Sequence, residues 1–187
     1  MIVALAGRRI DGPNAKTPRF PWDAVDRVCR RLSVAFLQDG ATTLVCAAAN
    51  GADLVALCAA AELHLSIHIV LPFEASEFRK RSVADRPGPW PWGDIYDELV
   101  AAAEASGDLH FAGLDPESQS VYEDGNLPIL NEALRVGRDA GEGVCAYVVS
   151  DGPISDRAGT DYTQHFAERA LELGIQVRSI GIIEASR

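Results

Sequence analysis

Basic residues are scarce in this chain. Its 17 lysines and arginines stand against 27 aspartates and glutamates, a formal net charge of −10 over 187 residues. A surface of that sign repels phosphate polymers and anionic headgroups, which argues against nonspecific binding to DNA or RNA and against adhesion to an anionic membrane. Long apolar runs are missing too: none approaches the roughly 18 residues that span a bilayer. The apolar opening, residues 1–7, lacks a basic start and is followed by Arg8 and Arg9. It reads as a first strand rather than a signal peptide, and a cytosolic protein is expected. There is no CxxC pair; Cys29, Cys46, Cys58 and Cys145 fall in apolar segments and read as small core residues in a reducing compartment. His64, His68, His110 and His165 show no metal-ligand spacing, so neither a metal site nor a resident cofactor is expected. No internal repeat, low-complexity tract or interdomain linker interrupts the sequence, which points to a single domain over residues 1–187.

What is present is a well-filled apolar inventory, 48% of residues against 24% charged, enough for a sizeable core. Short apolar runs at 2–6, 42–47, 67–71, 109–112, 144–149 and 175–180 read as strands. Between them lie stretches of helical period, such as Trp22, Val25, Cys29, Leu32 and Phe36 in a helix over 22–39. Further helices are expected after Asn50, over 73–82, over 94–106, from about 122 or 126 to 140, and over 161–173. Strands alternating with helices predict a Rossmann-like, doubly wound α/β fold: a mainly parallel sheet, right-handed crossovers and helices on both faces.

The chain is organised around residues 44–63, a buried strand, an abrupt turn at Asn50-Gly51 and an alanine-rich helix. Such a turn carries backbone N–H groups and a helix N-terminus toward the space above the strand, where open α/β sheets hold their ligands. Asn50 with Asp53 three residues later also resembles a capping box, which needs no ligand. The two readings are compatible. The other polar residues worth attention sit in two more loops of the same kind. Gly7, Arg8 and Arg9 follow the first strand; Asp151, Gly152, Arg157, Gly159 and Thr160 precede the last helix. In a parallel sheet all three loops open on one edge. Arg8 and Arg9 offer planar donors for phosphate, or serve as solvated charges among the many acids. Gly159 permits close backbone approach, and Thr160 adds a hydroxyl at a helix start or simply caps it. Asp53 suits ribose hydroxyls or a base N–H. Arg79-Lys80-Arg81 reads as an exposed helical face, and the segment 85–92, rich in proline and tryptophan, as a packed surface loop or a docking surface.

These residues carry a resemblance. Gly7-Arg8-Arg9 after strand one, Asn50-Gly51-Ala52-Asp53 after strand two, and Asp151-Gly152 followed by Gly159-Thr160 before the last helix are similar in order and placement to the YspA- or YpsA-like branch of the SLOG superfamily. That superfamily also includes lonely-guy phosphoribohydrolases and Smf/DprA-like proteins. Asn126 stands where that branch opens the preceding helix with an asparagine. The resemblance implies a Rossmann-like sheet that binds a nucleotide or nucleotide-derived ligand. It departs from the hydrolases at a telling place. They carry Gly-Gly-x-Gly-Thr-x-x-Glu, whereas here the paired glycines are missing and Thr163 occupies the glutamate position.

The expectation is therefore nucleotide binding or sensing at the carboxyl edge of the sheet, without turnover. The anion would lie between the loop after strand one and the start of the last helix, its sugar or base reaching toward residues 50–53. The alternatives are a nucleoside-phosphate hydrolase, with Asp53 as the remaining acid/base, and an interaction module docking through Trp90 and Trp92. A homodimer is expected through the helix at 52–63 or the one around 131–138.

Overall fold

A computed structural model describes residues 1–152 and 162–182. Arg157, Gly159 and Thr160, expected near the ligand, lie outside the described residues. Among the described residues six strands form one all-parallel sheet in the order β4-β3-β2-β1-β5-β6, the Rossmann-like arrangement expected. The strands are β1 (Ile2–Gly7), β2 (Thr43–Cys46), β3 (Ser66–Leu71), β4 (Leu109–Phe111), β5 (Val144–Ser150) and β6 (Gln176–Gly181). The chain steps outward from β1 to β4, then returns to lay β5 and β6 on the other side of β1. The strand order reverses between β1 and β5, and crevices at such reversals are where α/β sheets bind ligands.

Two cores explain the continuous apolar character of β1. Val3 and Leu5 pack on one face with α1 (Val25–Gln38), α2 (Ala52–Glu62) and α4 (Trp92–Ser106). Ile2 and Ala4 pack on the other with α6 (Asn126–Ala140) and α7 (Tyr162–Glu172). A strand covered on both faces has no side to leave polar. Two shorter α-helices are α3 (Ala75–Ser82) after β3 and α5 (Val121–Asp124) just before α6.

Helix α2 has no amphipathic stripe: Ala52 through Leu57, Ala59 and Ala60 are all buried. An all-round apolar helix belongs inside, and here α1 and α4 enclose it against β1, β2 and β3. Most of the surface of residues 52–63 is thus buried within one chain, with Ala61 and Glu62 left exposed. The other face expected to dimerise, around residues 131–138, lies on α6.

The Pro/Trp segment is a surface loop whose Pro87, Pro89 and Pro91 are exposed while its tryptophans turn inward. Trp92 opens α4, is buried, and stacks on Trp22 at 5.8 Å and on Trp90 at 5.4 Å. Arg79-Lys80-Arg81 forms an ion-paired outer face on α3, with Arg79 bidentate to Asp97 and Arg81 bonded to Glu77. Among the described residues no helix is long and apolar enough to cross a membrane.

Candidate functional site

The turn that opens α2 is built by backbone rather than by a capping side chain. Gly51 adopts φ +101°, and a Cβ there would fall 2.5 Å from the Ile10 amide nitrogen and 2.7 Å from the Arg8 carbonyl oxygen. Only glycine combines that conformation with that approach. The Ala52 amide donates to the Arg8 carbonyl at 3.0 Å, and Arg9 and Gly51 form an isolated antiparallel bridge, so the loops after β1 and β2 are fastened together. Gly7 allows the same closeness one step earlier: a Cβ there would lie 2.3 Å from that of Ala52.

Asn50 does not cap α2, contrary to the capping-box expectation. Its amide donates to the Val83 carbonyl at 2.9 Å, and its oxygen accepts from Arg9 Nε at 3.1 Å. Fully buried, it joins the β1 loop, the α2 turn and the end of α3. Asp53 supplies the helix-start contact from within: one carboxylate oxygen accepts the Ala49 amide at 3.2 Å.

These loops border a cavity of about 310 Å³ at the carboxyl edge of the sheet. Its floor is Leu5, Ala6 and Gly7 of β1, with Ala47 and Ala49 after β2 and Val70 of β3. Its walls are Phe78 and Ser82 of α3, Tyr122, Asn126 and Ile129 of α6, and Tyr162 and Thr163 of α7. The polar groups that reach it include Arg9, Asp53, Arg86 and Asn126.

Asp53 is the most perturbed of them. It is 7% exposed, and its Oδ1 is buried without a hydrogen-bond partner among the described residues. Burial raises its pKa from 3.8 to about 7, against the opposing pull of the Ala49 amide and the Arg9 charge. Near neutral pH this carboxyl therefore divides between acceptor and donor forms. Arg9 and Arg86 share one carboxylate: Asp85 pairs with Arg9 and lies 3.9 Å from Arg86 Nε. Desolvation and the neighbouring Arg9 both lower the Arg86 pKa, with Asp85 and then Asp11 opposing. Two guanidinium groups around one shared acid leave positive potential at the cavity wall.

Tyr122 and Tyr162 stand 5.8 Å apart at a 58° tilt, and the Tyr122 hydroxyl meets Ser82 Oγ at 3.0 Å. Tyr162 is 43% exposed, which puts its ring at the cavity mouth. Asn126 Nδ2 donates to the Tyr162 carbonyl at 3.0 Å and so ties the starts of α6 and α7 together.

The structure thus brings Gly7, Arg9 and Asp53 to the cavity, with Asn50 and Gly51 immediately behind. Arg8 and Asp151 lie elsewhere. Neighbouring residues of an extended chain face opposite ways, so Arg8 diverges from Arg9 and its Nε lies 3.7 Å from Asp151. Asp151 also receives both guanidinium arms of Arg19, at 3.0 and 3.1 Å, and the Gly152 carbonyl accepts from Ser150. Sequence reasoning did not single out Tyr122, Tyr162 or Arg86 for the site. Nothing local marks them, and only the packing of α3, α5 and α7 around β1 gathers them.

A second cluster, on the β3–β4 side of the sheet, was also missed. His68 of β3, His110 of β4 and Glu132 of α6 place one ligand-type atom each within 4.8 Å of the others. They are far apart in sequence and meet through strand pairing.

No family model matches the sequence, and no curated protein matches it. Among solved structures the chain is similar to DNA processing protein A (DprA) from Streptococcus pneumoniae, at 15% identity and a TM-score of 0.42. The alignment covers 96% of this chain and 58% of that one, so the chain spans less than two thirds of that protein's length.

Proposed function

We propose that the cavity binds a nucleotide or a nucleotide-derived small ligand, as the SLOG-like order of its loops implies. The observation that carries this reading is the buried Asp53 Oδ1 without a partner beside a cavity walled by Arg9 and Arg86. Leaving a buried acceptor unsatisfied costs about 1–3 kcal/mol, which a ligand donor recovers. A ribose hydroxyl or a base N–H is such a donor. The two arginines supply charge-assisted contacts to phosphate, and the Tyr162 ring offers a face on which a base can stack. The cavity's volume lies at the small end of the roughly 300–1,000 Å³ usual for ligand sites, which favours a mononucleotide over a dinucleotide.

A second reading is favoured by one observation, the Asp53 pKa of about 7, which suits a general acid or base. On that reading the protein hydrolyses a nucleoside phosphate. The residue against it is Thr163, which borders the cavity with a hydroxyl where the resembled hydrolases carry a carboxylate.

Calorimetric titration of a nucleoside mono- and diphosphate panel tests the proposal. Arg9→Ala or Arg86→Ala should weaken the best ligand roughly tenfold, the worth of one charge-assisted bond, while Asp53→Asn should reorder the panel. Binding that is absent at millimolar ligand, or unaffected in all three folded variants, would falsify it. Incubation with AMP should release no ribose 5-phosphate; many turnovers, abolished in Asp53→Asn, would establish the hydrolase instead.

A further inference from the structure

The β3–β4 side of the sheet carries a different chemistry. Val70 of β3 pairs with His110 of β4, which sets His68 two residues back on the same sheet face. The two imidazoles stack at 5.9 Å and 15°. Both reach a single atom, Oε1 of Glu132, which α6 lowers onto that face: His68 Nδ1 lies 2.9 Å from it and His110 Nε2 3.2 Å.

That convergence is poorly satisfied by hydrogen bonds alone. Oε1 already accepts Arg135 Nη2 at 2.7 Å, so with His68 its two lone pairs are engaged. His110 Nε2 approaches the same oxygen without hydrogen-bond geometry and is a buried nitrogen with no hydrogen-bond partner among the described residues. Two imidazole nitrogens and a carboxylate oxygen gathered at this range instead form a donor set for a metal.

We propose that His68, His110 and Glu132 bind a divalent transition-metal ion, Zn²⁺ being the best fit. Calcium and magnesium take oxygen ligands, whereas imidazole with carboxylate suits Zn²⁺ and its neighbours in the series. Around the three ligands the structure holds the outer contacts such a site needs. Asp108 Oδ1 lies 3.6 Å from His68 Nε2, the ring nitrogen turned away from Glu132, where an outer-shell carboxylate would stand. Arg135 Nε fixes the other Glu132 oxygen at 2.8 Å. Arg135 is itself paired with Asp139 at 2.8 Å, so the cluster holds three carboxylates against one guanidinium. That balance favours a dication. His110 is 35% exposed on its side chain, which brings the cluster close to solvent. The ion would fasten the three-residue edge strand β4 to β3 and α6. It stands apart from the nucleotide reading and does not depend on it.

The test uses the full chain, stripped with a chelator and titrated with Zn²⁺ by calorimetry and with Co²⁺ by visible absorption at pH 7.5. One equivalent should bind, raise the melting temperature, and give a Co²⁺ spectrum without thiolate charge transfer. His68→Ala and His110→Ala should each weaken Zn²⁺ by more than tenfold, and Asp108→Asn by roughly tenfold, the usual worth of an outer-shell contact. His64→Asn, outside the cluster, should bind as the parent does. If an alanine variant fails to fold, Asp108→Asn and the parent Co²⁺ spectrum decide. No saturable binding by the parent overturns the site. So does a Co²⁺–thiolate band, or an affinity equal to the parent's in the folded His68, His110 or Asp108 variants.

Discussion

At the scale of single residues, Asp53 has the most to say about both stability and function. Its folded pKa is raised from 3.8 to about 7, so between those values the folded chain keeps a proton that the unfolded chain has released. Stability therefore falls as pH rises through that window and levels off above it. The gap corresponds to roughly 4 kcal/mol at most. Asp53→Asn removes the charge and keeps an acceptor for the Ala49 amide, but it leaves an amide nitrogen seeking a partner at about 1–3 kcal/mol. The variant should thus be more stable than the parent at pH 8, by roughly 1–2 kcal/mol, and less stable at pH 4. Denaturant unfolding at the two pH values checks this, and a difference of the same sign at both would refute it. The arginines show how far sequence reading reaches at this scale. Arg8 and Arg9 are alike as letters, and a shared phosphate is the natural expectation. The two-residue period of extended backbone separates them, Arg9 to the cavity and Arg8 toward Asp151. That period was available in the sequence; the presence of Asp151 and Arg19 on the far side was not.

Among the elements, the junction of β1 with α2 fixes the site. Gly7 and Gly51 let strand and helix meet at backbone distance, and each would drive a methyl group into a packed neighbour. Gly51→Ala meets unyielding backbone atoms and an unfavourable φ together, and should cost at least about 2–3 kcal/mol. Gly7→Ala meets the methyl of Ala52 and should displace α2 more gently, about 1–3 kcal/mol, as overpacking in a core does. Chemical denaturation ranks the two; equal or negligible losses would mean that the junction yields. The elements themselves were legible in the sequence, because apolar runs without alternation mark doubly covered strands and the helical periods between them are long. The failures have local causes. Asn50 sits where an N-cap belongs, yet Arg9 and the Val83 carbonyl claim its side chain. The alanines of α2 signal close packing but not the partner, and within this chain α1 and α4 pack against them.

For the whole molecule, the order of the strands is what sequence periodicity cannot give. It decides that His68 meets His110, and that the starts of α6 and α7 close over β1. It also sets charges against one another across the fold, and the sum has a predictable pH dependence. Glu132 is held down to about 2, first by Arg135, with His110 and His68 adding to it. Its folded pKa is lowered, so the stability it contributes is present above its ordinary value of 4.5 and lost as pH falls toward 2. Asp53 acts in the opposite sense between 3.8 and about 7. The net charge of −10 at pH 7 adds self-repulsion that fades toward the isoelectric point near 4.8. Together they place the stability maximum of the ligand-free protein in mildly acid solution, near pH 5, with an acid limb set by Glu132 and a neutral limb set by Asp53 and the charge imbalance. Melting temperatures across pH 3–9 measure the curve. In Asp53→Asn the neutral limb should flatten while the acid limb stays; in Glu132→Gln the acid limb should soften while the neutral limb stays. A parent curve that rises from pH 5 to 8 would show that neither the burial of Asp53 nor the charge imbalance governs stability in this fold.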